Sequence, residues 1–111
     1  MTSPEKLQEV AAKAKNAIQT NSHGWKNEDA LREMRTLCSE MRFHAGVDAY
    51  ASEKIVGLLS SAEILYSSRK HQKYDTPNES GADRVKFFCY SYASSIESWA
   101  KERASAKSEN A

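Results

Sequence analysis

The chain has 111 residues, of which 40% are hydrophobic and 28% charged, and its formal net charge is +1. This length favours one domain with one core, and the composition is that of a globular protein rather than a wholly disordered one. The near-neutral charge gives no long-range attraction to nucleic acids or anionic membranes, although it allows a local basic patch.

The first predicted helix spans about residues 3–19. Ser3 is a good N-cap, Pro4 suits the first helical position, and Glu5 lies near the positive end of the helix dipole. Apolar residues recur at helical spacing: Leu7, Val10, Ala11, Ala14, Ala17 and Ile18. Half of them are alanine, so this helix can pack closely but buries little area.

The second predicted helix spans about residues 28–45 and is capped by Asn27. Its apolar stripe consists of Leu31, Met34, Leu37, Cys38 and Met41. Gly46 is a typical helix stop, and Asp48 or Ser52 can cap the next helix. Because this connection is short, the second and third helices are predicted to be antiparallel.

The third predicted helix spans about residues 48–69. Its core face consists of Ala51, Ile55, Leu58, Leu59, Ala62, Leu65 and Tyr66. A polar connection containing Pro77 follows, and Ser80 with Asp83 resembles a capping box. The fourth helix is predicted over residues 81–104, with a flexible tail at 105–111.

The pattern of the whole chain predicts an all-α, antiparallel four-helix bundle formed by a single domain over residues 1–104. The segment 85–92 also has strong strand propensity. Helix is favoured there because apolar residues keep the helical interval over four turns: Val85, Phe88, Cys89, Tyr92, Ile96 and Trp99.

The outer faces of the third and fourth helices lack charges in their middle parts. Opposite the core stripe of the third helix lie Gly57, Ser60, Ser61, Ile64, Ser67 and Ser68; opposite that of the fourth lie Phe87, Tyr90, Ser91, Ser94 and Ser98. Serine is a mediocre helix former, so a solvated face would be more stable with Glu, Lys or Ala. Small residues instead suit the close approach of another helix, and exposed aromatic rings supply contact area.

These faces predict a protein-binding surface, with Ile64, Phe87, Tyr90, Ser91 and Ser94 as its residues and either another protein or a second copy as partner. Two alternatives remain open. The faces can be covered internally, by the first helix or by the long connection, or they can be ordinary scattered apolar residues.

The basic residues around 69–86 indicate an alternative function as an accessory nucleic-acid-binding subunit. The candidate contacts are Arg69, Lys70, Lys73, Arg84 and Lys86. Basic side chains beside Tyr74 can contact phosphates and stack a base. Acidic residues in the same region oppose this interpretation, and positive charge at a helix C-terminus also complements the dipole.

The sequence gives weak support to catalytic or metal chemistry. His44 with Asp48 and His71 with Asp75 have helical ligand spacing, but neither pair forms a recognised three-ligand set. Cys38 and Cys89 fall on core stripes, where packing is favoured over a disulfide or a reactive thiolate. We therefore expect no enzymatic activity, no cofactor and no metal.

The predicted location is the cytoplasm. Residues 1–20 show no signal-peptide core, and the most apolar stretch, 55–66, is too short to span a bilayer. Two cysteines are too few for a disulfide scaffold, which favours an intracellular protein with reduced thiols.

Overall fold

The computed structural model describes residues 3–21, 27–67 and 70–109, the last three of them by their backbone only. Its helices are α1 (Pro4–Thr20), α2 (Glu28–Ala45), α3 (Ala49–Ser67) and α4 (Gly81–Glu109), with a short 3₁₀ helix (Lys70–Tyr74) before α4. The described part of the chain has no strand, only an isolated bridge between Thr76 and Glu79. The predicted four-helix bundle is confirmed, and 85–92 is helical.

Each long helix is preceded by an N-cap residue that can be identified from the sequence. The caps accept hydrogen bonds from backbone N–H groups three residues further on, at 2.9 to 3.4 Å, and they are Ser3, Asn27, Asp48 and Ser80. Gly46 ends α2 with a φ of 69°, a conformation that residues with a Cβ rarely adopt. Local sequence therefore determines where most helices start and where α2 stops.

The four helices form a ring of antiparallel neighbours. The backbone N–H of Ser3 donates to the carbonyl of His44 at 2.8 Å, so α1 starts beside the end of α2. The N–H of Asn27 donates to the carbonyl of Tyr66 at 2.9 Å, so α2 starts beside the end of α3. Helix α4 packs between α1 and α3, and within the described residues no Cα of α2 lies within 8 Å of a Cα of α4.

The core fills the centre of this ring. Every position predicted as core in α1 and α2 is buried. In α3 the exception is Leu59, which is half-buried, and in α4 the large rings of Phe88, Tyr92 and Trp99 are only half-buried. Two small residues of α4 that were not predicted as core, Ala93 and Ala100, are fully buried. The large rings lie at the border of the core, where they reach the surface.

Helix α4 is longer than predicted. It has 29 residues and reaches Glu109, five residues past the predicted end near Ala104, whereas α1 to α3 have 17 to 19. At 1.5 Å per residue, α4 measures about 43 Å and α3 about 28 Å. The C-terminal turns of α4 therefore project beyond the bundle, consistent with a longest extent of 51 Å.

Candidate interaction surface on α3 and α4

The outer face of α4 carries a large aromatic side chain, Phe87, at one end of a row of small uncharged residues, and Asp83 and Lys86 line the depression beside it. Phe87 is 65% exposed, Ser98 is exposed, and Ser91 and Ser94 are half-buried. We name these four residues the α4 stripe. An exposed phenylalanine keeps its apolar area in water, which is unfavourable unless another surface covers it.

Tyr90, predicted with this face, is held at the border with α1. Its ring lies under Lys15, whose Nζ is 5.1 Å from the ring centroid, and it packs against the core. Lys15 also donates to Glu97 Oε1 at 2.9 Å, a hydrogen bond that raises the pKa of Lys15. A contact from α1 therefore covers one side of Tyr90, as the internal-burial alternative expects.

Much of the uncharged face of α3 is also used within the bundle. Ile64 is half-buried against the core. A Cβ on Gly57 would lie 2.5 Å from Cε1 of Tyr92, so glycine makes room for this ring of α4. Among the described residues of this face, Ser60 and Ser67 remain exposed, whereas Ser68 lies outside the described residues. Packing within the bundle therefore explains part of the absence of charge on α3.

A groove follows the outer side of the seam between α3 and α4. Its two sections, of about 160 and 360 Å³, both have Ser95 in their lining and therefore lie next to each other. Lys54 lies over the rings of Tyr50 and Tyr92, with its Nζ 5.3 and 5.8 Å from their centroids. The remaining lining side chains include Phe88, Ser91, Ser94, Ser98, Trp99 and Glu102. The groove is thus aromatic and hydroxylic, with one cation, Lys54, and one carboxylate, Glu102, in its lining.

An apolar surface at the α2–α3 connection was not predicted. Phe43 is 66% exposed, Val47 is fully exposed, and Tyr50 is 45% exposed; we name these three residues the hairpin tip. On a helical wheel Phe43 lies opposite the α2 core stripe, so its exposure can be predicted from the sequence. Val47 lines a depression with Pro4 and Trp99.

The basic residues of the alternative function differ in their exposure. Lys70 and Lys73 are exposed, Arg84 and Lys86 are half-exposed, and Arg69 lies outside the described residues. Tyr74 packs edge-on against Phe88, with ring centroids 5.9 Å apart, and Lys73 Nζ lies 5.2 Å from the centroid of Tyr74. The aromatic ring proposed to stack on a base is therefore engaged within the bundle.

The two cysteines are buried, and their thiols are expected to be unreactive. Burial raises the pKa of each thiol from 9.0 to about 12, so neither forms a thiolate near neutral pH. Their helices come no closer than 8 Å between Cα atoms, beyond the reach of a disulfide without backbone movement. The prediction that they pack in the core is confirmed.

Two side-chain polar atoms among the described residues are buried without a hydrogen-bond partner, the hydroxyl of Tyr66 and Nε2 of His71. Burial raises the pKa of the Tyr66 hydroxyl to about 12. Within residues 3–21, 27–67 and 70–109, no group of three or more His, Cys, Asp or Glu side chains is placed to hold a metal ion.

None of the described helices is both long enough and apolar enough to cross a membrane. Comparison with known protein families, with curated proteins and with solved structures finds no match to this chain.

Proposed function

We propose that this chain is a non-catalytic protein-interaction module, such as an adaptor, inhibitor or accessory subunit, that binds a protein through the outer faces of α3 and α4. The observation that carries the proposal is Phe87, which is 65% exposed at the start of the uncharged stretch 87–96 of α4. The proposed location is the cytoplasm, which suits a chain whose two thiols stay reduced.

The neighbouring groove supports the same face. Large rings supply contact area at small cost in side-chain entropy, and hydroxyls accept or donate hydrogen bonds at the rim. Lys54 adds a cation that favours an acidic residue on the partner. The buried thiols, with a pKa of about 12, do not form the thiolate that cysteine-dependent catalysis requires.

The test compares proteins captured from native cells by tagged wild-type chain, Phe87→Asp and Phe43→Asp. Phe43 is a matched control, because it is also a phenylalanine, is 66% exposed, and lies on α2. We expect Phe87→Asp to lose the captured protein and Phe43→Asp to keep it.

Equal capture by all three proteins would contradict the proposal, and loss in Phe43→Asp alone would move the surface to the hairpin tip. Capture of nucleic acid that depends on Lys70 and Lys73 would favour the nucleic-acid alternative instead.

A further inference from the structure

We propose that the partner of the α4 stripe is a second copy of this chain, whose own α4 packs antiparallel to the first. This inference rests on the proposed function of the face, and it adds the identity and orientation of the partner.

The stripe has the geometry of a helix–helix seam. Its residues, at positions 87, 91, 94 and 98, are spaced by four, three and four, which keeps them in line along one side of a helix. Consider a two-fold axis perpendicular to α4, through the midpoint between Ser91 and Ser94. It places Phe87 opposite Ser98 of the second copy and Ser91 opposite Ser94, so each large ring meets a small residue.

The charges beside the stripe are complementary under the same axis. Asp83 and Lys101 are 18 residues apart, about five turns, so they lie on one side of the stripe at opposite ends. Arg84 and Glu102 have the same separation and lie on the other side.

In an antiparallel pair related by this axis, each side of the stripe faces the same side of the second copy in reversed order. Asp83 then faces Lys101 of the second copy, and Arg84 faces Glu102. Asp83, Lys101 and Glu102 are exposed and Arg84 is half-exposed, so all four lie where a second copy can reach them. This axis therefore pairs both the apolar residue and the charges. A parallel pair would also bring opposite charges together, Arg84 facing Asp83, so the orientation rests on the packing of the stripe and on the mixing experiment below.

Antiparallel packing is favoured over a parallel pair. A parallel two-fold axis would stack Phe87 on Phe87 and leave serine against serine, with poorer matching of volumes. It would also align the two helix dipoles, whereas the antiparallel pair sets them opposed.

The contact is expected to be weak. A seam along one helix per subunit covers less than the roughly 800 Å² per partner that stable complexes bury. Self-association is therefore to be sought at high concentration, up to about 0.5 mM, where a dissociation constant on the order of 100 µM is measurable.

The decisive experiment mixes two charge-reversed chains and follows them by sedimentation. In Arg84→Glu alone, the introduced carboxylate would face Glu102 of the second copy. In Glu102→Arg alone, the introduced guanidinium would face Arg84. Each change is expected to weaken self-association about ten-fold. In an equimolar mixture, the heterodimer regains opposite charges at both positions, so association is expected to return to within about three-fold of wild type.

A mixture no stronger than its components would overturn the antiparallel arrangement, because in a parallel pair the carboxylate introduced at position 84 would still face Asp83. A wild-type chain that stays monomeric at about 0.5 mM would overturn the dimer itself. Phe87→Asp is expected to abolish association and Phe43→Asp to preserve it, with helical content checked by circular dichroism. If the chain is monomeric yet captures another protein through Phe87, only this inference fails and the proposed function stands.

Discussion

At the scale of single residues, Gly57 shows how an apparent binding feature can serve the fold. Glycine inside a helix costs about 1 kcal/mol relative to alanine, so its presence on α3 requires a reason. The reason is the ring of Tyr92, whose Cε1 and Cζ lie 2.5 and 2.6 Å from where a Cβ would be. The sequence shows the glycine but not the ring, because the two positions are 35 residues apart and meet only in the bundle.

Gly57→Ala is therefore expected to destabilise the protein by about 1–2 kcal/mol, because the tyrosine ring must move. In a Tyr92→Ala background the same change is expected to stabilise by about 1 kcal/mol, since only helix propensity then remains. Urea unfolding of the four proteins of this cycle measures both values. The same sign in both backgrounds would show that the ring does not explain the glycine.

The buried thiols make a pH prediction. Burial raises the pKa of Cys38 and Cys89 from 9.0 to about 12, so the folded state keeps protons that the unfolded state releases. Their contribution is present in full below pH 9 and declines as the pH rises from 9 towards 12, because the unfolded chain then releases protons that the folded chain keeps.

Urea unfolding at several values between about pH 8 and pH 11 checks this decline. A Cys38→Ala/Cys89→Ala control is expected to lose stability less steeply, since only groups common to both proteins, such as Tyr66, still titrate there. Parallel pH profiles for the two proteins would contradict the assignment.

At the scale of secondary structure, local signals predicted most of each helix. Caps such as Ser80 act within one turn, and apolar periodicity identified the core faces of α1 and α2. The end of α4 was missed because alanine, lysine and glutamate after Ala104 permit helix without requiring it. The half-burial of Tyr92 and Trp99 depends on the neighbouring helix, which periodicity in one segment does not identify.

For the same reason, the exposure of the candidate interface residues was predicted only in part. Phe87 is exposed on an uncharged face, as a wheel of α4 implies. Ile64 and Tyr90 lie on the equivalent wheel positions but are half-buried by packing between elements. The hairpin tip was overlooked because Phe43 stands alone on its face and Val47 belongs to no periodic segment.

The ion pair between Lys15 of α1 and Glu97 of α4 allows the contact between these two helices to be tested. The ion pair is 2.9 Å long and its side chains are only 24% and 26% exposed. A double-mutant cycle with Lys15→Met and Glu97→Gln is expected to give a coupling of about 1 kcal/mol, the upper end for such pairs.

Arg32 and Asp29 provide the control for this cycle. They also form an ion pair, at 3.0 Å, but they lie within α2 and their side chains are 73% and 92% exposed. Their coupling is expected to be at most about 0.3 kcal/mol. Equal couplings in the two cycles would remove the special role assigned to the pair between α1 and α4.

At the scale of the whole molecule, the ring arrangement leaves each helix with a face directed to solvent. The helices of the ring are not equivalent. Helix α1 contributes three small alanines to the core, and α4 is much longer than its neighbours. The uncharged part of α4 lies alongside α1 and α3, and its charged turns project past them. Self-association through this face would therefore join two bundles edge to edge and leave the hairpin tip uncovered.

Such an arrangement makes thermal stability depend on concentration, because a partner that binds only the folded chain stabilises it by mass action. If the dissociation constant is on the order of 100 µM, raising the concentration from about 10 µM to about 1 mM is expected to increase Tm by several degrees. Phe87→Asp should show a Tm independent of concentration, whereas Phe43→Asp should rise like wild type. Because the wild-type chain serves as its own reference at low concentration, a flat Tm in all three proteins would show that the α4 stripe does not join copies of this chain.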